Sequence, residues 1–292
     1  MGSNEAAISK PKNDAFSKRI HEVDLLRGFL IILVIIDHVL WNMKYYGEIW
    51  MGQEGWMYQA FNFYWTSVAR GIIQPIALGL FCFVSGVSCA FSKSNKKRAI
   101  ITLIFWAIIA LGSNIIQLIL TNNGVEGLEI RVDFNIIGVL AFSTLFYCIF
   151  EKKSWRSLLV VIIFSFLISN FLSPMLRESL LKLCGGHVCN RPGVAYGVGN
   201  TTPNFYMPLF WEYPHQADFV PLFPYIIAFF LGALFSYFFY KAKRQSLFPN
   251  RKEWERPICF LGRHTLVIYL AHYFVIRAIF IIINLIITGR FA

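Results

Sequence analysis

The sequence predicts an all-α integral membrane protein, a bundle of about seven transmembrane helices with the N-terminus cytoplasmic and the C-terminus extracytoplasmic. Three observations predict it. The 292 residues are 57% hydrophobic, 17% aromatic and only 15% charged, against about 45–50% apolar and about 25% charged residues in a soluble globule. Seven windows are apolar enough to cross about 30 Å of hydrocarbon, which takes around 20 such residues. Basic residues alternate between the loops joining those windows, as expected when Lys and Arg are retained on the cytoplasmic side. The apolar excess also excludes intrinsic disorder.

The elements follow in chain order. Residues 1–20 form a polar cytoplasmic tail, and residues 21–292 a single membrane domain. The tail has no apolar stretch of its own, so no cleavable signal peptide is expected, and Ala6 stands where a myristoylation site wants Ser or Thr. The windows lie near 25–42, 72–91, 99–121, 134–150, 156–173, 220–240 and 264–288. The cytoplasmic side collects Lys10, Lys12, Lys18 and Arg19, then Lys93, Lys96, Lys97 and Arg98, then Lys152, Lys153 and Arg156, then six more between Lys241 and Arg256. That distribution turns most of the net charge of +11 into an orientation signal. It argues against a nucleic-acid partner, because the basic residues are spread over separate short loops without interleaved stacking aromatics.

Two long connections fall outside. Residues 43–71 carry Tyr45, Tyr46, Trp50, Trp56, Tyr58, Tyr64 and Trp65, which suits a segment along the headgroup boundary. Residues 174–219 are rich in Gly, Pro and Asn and read as a folded lid. Within it Cys184 and Cys189 are expected to form a disulfide, since this side is oxidising. A metal site there would have only His187 as a third ligand, so none is expected.

Ionisable side chains inside spans are costly and mark functional sites by default. Asp37 and His38 lie in the first window, His272 and Arg277 in the last. On a helix, Arg27 and His38 share a face roughly 16 Å apart along the axis, with Asp24 near the same face. A ligand with phosphates at one end and a reactive group on a long thin arm, the shape of an acyl-coenzyme A, would place the phosphates by Arg27 and the reactive end by His38. A neutral imidazole is suited to take a proton from an amine or hydroxyl near pH 7. The alternative for each is a satisfied buried His and a snorkelling Arg. Arg263 and His264 stand at the cytoplasmic entrance of the last window, with His272 about 12 Å deeper. Asp37 is read as lining the acceptor side and as a pairing partner of Arg277. In the second window Gly79, Gly86 and Ser88 suggest close helix packing, while Ser85 is kept as a ligand contact. Cys82, Cys89, Cys148 and Cys259 read as buried hydrophobes.

Five segments then carry a resemblance: VDLLRG with a histidine late in the first window, LFCFVSGVSCAFSKSNKKR, IIGVL, ADFVPLFPYIIAFFLG and LGRHTLVIYLAH. In that order, over about residues 20 to 275, they resemble the heparan-α-glucosaminide N-acetyltransferase catalytic-domain family, and its bacterial type in particular. The resemblance implies a transmembrane acyltransferase that takes acetyl-coenzyme A from the cytosol and passes the acetyl group to an amine or hydroxyl of an extracytoplasmic sugar or glycan. It implies Arg27 at the coenzyme mouth, His38 at the reaction centre and Asp218 at the acceptor rim. The animal lysosomal members carry their catalytic histidine in the luminal segment after the first span. Here no His lies between His38 and His187, so His38 must supply the base, with His272 as its partner. The other reading is a multi-pass transporter in which Asp37, His38, His272 and Arg277 form a proton or solute path. The protein is expected in the plasma membrane, in contact with lipid; a homodimer is compatible with the sequence, though no surface signature argues for one.

Overall fold

A computed structural model describes residues 20–123, 131–132, 134–172, 220–240, 246, 248 and 252–289. Among the described residues all regular structure is helical: α1 (His21–Met51), α2 (Trp56–Thr66), α3 (Val68–Cys89), α4 (Asn95–Asn122), α5 (Ile136–Phe150), α6 (Trp155–Leu167), α7 (Leu222–Phe239), α8 (Glu255–Arg263) and α9 (Thr265–Thr288). A π turn, Ile168–Leu172, prolongs α6. Each of the seven apolar windows coincides with a helix. Four of these, α3, α4, α7 and α9, are long and apolar enough to cross a membrane, while α5 and α6 have 15 and 13 residues. Large aliphatic side chains stand exposed along α4 (Ile104, Ile108, Leu111, Ile115) and α9 (Ile279, Ile282, Ile286). Water would not tolerate such a surface and lipid requires it. This is an integral membrane protein.

The stretch 43–71, expected as a connection along the headgroups, is almost wholly helical. α1 runs on to Met51 because nothing in YYGEIW breaks it, and it stops at Gly52, whose φ of 71° lets its N–H reach the Glu48 carbonyl. α2 then folds back against α1. Ser67 ends the return by accepting the Arg70 N–H at 3.2 Å, which caps α3. That cap holds Arg70 in the first turn of α3, facing α1.

The core packs Ile31 of α1 with Ile136, Ile137 and Val139 of α5 and Phe229 and Phe230 of α7, all fully buried. Two crossings are backbone against backbone. A Cβ on Gly86 of α3 would collide with the Phe229 carbonyl of α7, and one on Gly232 of α7 with the Phe83 carbonyl of α3. Gly28 of α1 and Gly262 of α8 are matched in the same way, against Ile258 and Asp24. Close packing through small residues is therefore the role of Gly86. Gly79 faces open space, and Ser88 binds Arg27 instead.

Candidate functional site

At the end of the bundle where α1 begins, a cavity of about 480 Å³ opens between α1, α3, α4, α5 and the α8–α9 junction. Small-molecule sites typically occupy about 300–1,000 Å³. Its wall holds Arg27, Lys93, Lys97, Arg98 and Arg263, and no carboxylate among the described residues that line it. Local structure places these cations. Ser94 caps α4 by accepting the Lys97 N–H at 3.3 Å, so α4 starts at the mouth and turns Lys97 and Arg98 inward. Arg98 donates to the Ser85 hydroxyl and, at 3.2 Å, to the Ser85 carbonyl. Arg27 donates to the Ser88 hydroxyl at 2.6 Å, and that hydroxyl donates to the Val84 carbonyl. α3 thus offers two serines as neutral anchors for two guanidinium groups. Deeper in, Ile136, Leu140, Thr144 and Tyr269 close the cavity.

Of the residues expected at the coenzyme end, Arg27, Ser85 and Arg263 line this cavity. Asp24 does not; its carboxylate lies 3.7 Å from the Arg263 guanidinium. His264 does not line it either. The chain turns at His264 (φ −102°, ψ 14°), so α9 begins one residue later. Its ring lies exposed against Phe260, with Nδ1 donating to the Phe260 carbonyl at 2.9 Å. Lys93, Lys97, Arg98 and Tyr269 were missed as site residues. In sequence the three cations read first as orientation charges and only collectively, as basic cytoplasmic loops beside Arg27 and Arg263, as part of a coenzyme mouth; the serine-rich segment SGVSCAFSKS is a signal that could have singled them out.

His38 of α1 and His272 of α9 meet in the interior, ring centroids 4.7 Å apart and edge to face at 81°. Each is oriented by its own helix: His38 Nδ1 lies 2.9 Å from the Val34 carbonyl, His272 Nδ1 2.6 Å from the Tyr269 carbonyl. A carbonyl only accepts, so in the neutral rings Nδ1 carries the proton and Nε2 the lone pair. The Tyr269 ring lies 5.1 Å from His272 and also lines the basic cavity. The histidines themselves do not line it. Cavity, Tyr269, His272 and His38 therefore follow one another inward as a continuous series.

Beyond the histidines the charges are arranged differently from the expectation that Asp37 pairs with Arg277. Asp37 takes two hydrogen bonds from Arg70, Nε to Oδ1 at 2.9 Å and Nη2 to Oδ2 at 3.1 Å, and a third from the Tyr64 hydroxyl at 3.0 Å. The Arg70 guanidinium also lies 3.4 Å from the centre of the Trp65 ring. The folded-back α2 is the physical reason, since it brings Tyr64, Trp65 and Arg70 onto α1. Burial, and then the bond to the Asp37 carboxylate, push the Tyr64 phenol up. Arg277 instead lies among the rings of Tyr45, Tyr46 and Trp41, at 4.7, 5.3 and 5.6 Å, and donates to Asn42 Oδ1 at 3.3 Å. Asn42 in turn donates to the His38 carbonyl at 2.8 Å. Asp37 and Arg277 thus belong to separate clusters. Asp218, Cys184 and Cys189 lie outside the described residues.

A family model described as heparan-alpha-glucosaminide N-acetyltransferase, catalytic, matches residues 19–274. No curated protein and no solved structure matches the chain.

Proposed function

From the premise that this chain belongs to the heparan-alpha-glucosaminide N-acetyltransferase catalytic family, we propose that it carries an acetyl group from cytosolic acetyl-coenzyme A to an amine or hydroxyl of an extracytoplasmic sugar or glycan. The observation that carries the reading is the series just described: a cavity with five cations in its wall, ending at a tyrosine beside His272, whose ring meets that of His38 edge to face. The phosphates of the donor would meet Arg27, Lys93, Lys97, Arg98 and Arg263, a set of cations of which Arg27 and Arg98 are anchored by serine hydroxyls. The pantetheine arm would run past Thr144 and Leu140 toward Tyr269, and the thioester would reach the histidines once that ring yields. In this reading α1, α3, α4, α5, α6, α7 and α9 make the seven spans, the N-terminus is cytosolic, and the protein works in the plasma membrane.

The chemistry asks for one base. His38 Nε2 takes the proton from the acceptor nitrogen or oxygen as that atom attacks the thioester carbonyl. The carbon–sulfur bond then breaks with its electron pair on sulfur, and the proton on the imidazolium passes to the departing thiolate. The products are the acetylated acceptor and coenzyme A. His272, edge to face with His38, positions the ring and shares its charge. Holding both reactants against one imidazole is itself a large part of such catalysis. The test is to give the purified full chain acetyl-labelled coenzyme A with and without glucosamine. Transfer that needs His38 supports the reading; coenzyme binding and acetyl transfer both absent from the wild-type protein overturn it.

A further inference from the structure

Tyr269 stands where the path of the donor changes character. It lines the basic cavity, and its ring lies 5.1 Å from that of His272, inclined at 50°. Neither His272 nor His38 lines the cavity, so a group that enters at the cations passes this ring before it meets an imidazole. The ring is closely held. It is 9% exposed, and the Phe81 ring of α3, also in the cavity wall, lies 6.4 Å away. Ile136 and Leu140 close the same end, and a packed interior of this kind gives way in rotamer steps, not continuously. The main chain of Tyr269 cannot give way instead. Its carbonyl holds His272 Nδ1 at 2.6 Å, so a shift of α9 that widened the passage would turn that histidine as well. Opening is left to a swing of the Tyr269 side chain from one staggered rotamer to another, which gives an aperture of fixed size.

The order of groups on the donor decides what that aperture measures. With the phosphates at the mouth and the pantetheine arm running inward, the acyl group leads and the sulfur follows. The last part of the arm is an unbranched chain, so the width that has to clear the ring is set by the acyl group, at the carbon next to its carbonyl. We infer that Tyr269 is a specificity-determining residue for the donor: its ring passes short unbranched acyl groups and holds back those branched at that carbon. The inference rests on the acetyl-transfer reading above and adds the feature of the acyl group on which the site selects. Discrimination at an apolar contact is worth about 10- to 200-fold per methylene-sized group. The transfer step is the same for every donor. The acceptor nitrogen bonds to the acyl carbon, the carbon–sulfur bond breaks, and the proton lost from nitrogen ends on the thiol of coenzyme A.

The test gives the purified full chain glucosamine and three donors: acetyl-, butyryl- and isobutyryl-coenzyme A, the last two being isomers that differ in width and not in composition. We expect kcat/KM at least about a hundredfold lower for the isobutyryl than for the acetyl donor, and expect Tyr269→Ala to bring that ratio below about tenfold, with a larger gain for the isobutyryl than for the butyryl donor. Tyr269→Phe, which keeps the ring, keeps the wild-type ratio. Tyr269→Leu, which removes the ring with less loss of volume, moves the ratio in the same direction as Tyr269→Ala and decides the matter should that variant fail to fold. A wild type that takes isobutyryl and acetyl groups equally well overturns the inference, as does a loss in Tyr269→Ala or Tyr269→Leu that falls equally on every donor. A gain for butyryl that equals or exceeds the gain for isobutyryl overturns it too, because it places the limit on length. If the wild type transfers no acyl group from any donor, the transfer reading fails by itself. Diethyl pyrocarbonate, which modifies accessible imidazoles, then decides whether the ring is the barrier, read at His272 by peptide mass spectrometry: faster modification in Tyr269→Ala than in the wild type supports it, and an equal rate overturns it.

Discussion

At the basic end Arg27 and Arg98 reach the hydroxyls of Ser88 and Ser85, whereas past the histidines Arg70 closes on Asp37 through two hydrogen bonds. A hydroxyl fixes where a guanidinium sits and leaves its charge intact. A carboxylate fixes it and cancels the charge as well. The first arrangement gathers positive potential around a cavity where a ligand can use it. The second joins α1 to α3 and has little left over for a ligand. Arginine thus takes a neutral partner at Arg27 and Arg98 and a carboxylate at Arg70, with different consequences for the charge.

That contrast can be broken at its middle, where the largest effect is expected. His38→Ala should cut acetyl transfer by about 10²- to 10⁴-fold, the usual contribution of a positioned general base, while acetyl-coenzyme A binding measured by calorimetry stays within about twofold. Loss of binding in that variant would mean that the two ends are not separable. Asp37→Ala comes next. It leaves Arg70 half-buried without its carboxylate and should lower stability by about 2 kcal/mol, the scale of a charged hydrogen-bond pair. Thermal melts in detergent would show this, and coenzyme affinity should not follow. Arg98→Gln should do the reverse, raising KM for acetyl-coenzyme A by about tenfold, or about 1.4 kcal/mol, with an unchanged melting temperature and a weaker dependence on salt.

Tyr64 gives the smallest and most specific effect. Its phenol is held up by burial and by its bond to Asp37, so the folded state keeps the proton that the unfolded chain loses first. The stability it lends is complete below the ordinary tyrosine range near pH 10 and falls away as pH rises through the higher folded value. Tyr64→Phe should cost about 1 kcal/mol at neutral pH and flatten that alkaline decline. A decline of unchanged steepness in the variant would assign it to another group.

How much of this could be read from the sequence depends on how local each signal is. The apolar windows report their own helices, because the cost of leaving backbone unpaired in lipid acts on every residue of a span. His38 and His272 could be singled out by the same argument, since each is expensive where it stands. Their convergence was a guess about two helices 234 residues apart. Lys93, Lys97 and Arg98 were hidden because a basic residue that orients a loop and one that lines a cavity are the same letter. Asp37 was assigned the wrong arginine because both Arg70 and Arg277 were in reach of its end of the bundle, and only the stop at Gly52 and the return of α2 decide between them.

The two glycine crossings set limits of another kind. At Gly86, Gly232, Gly28 and Gly262 the neighbour that a new Cβ would strike is main chain, which cannot swing aside as a side chain can. Every amino-acid replacement reachable from a glycine codon by a single base change adds that carbon. Inherited variation at these four codons therefore has no mild form: the smallest step, to alanine, already forces the paired helices apart.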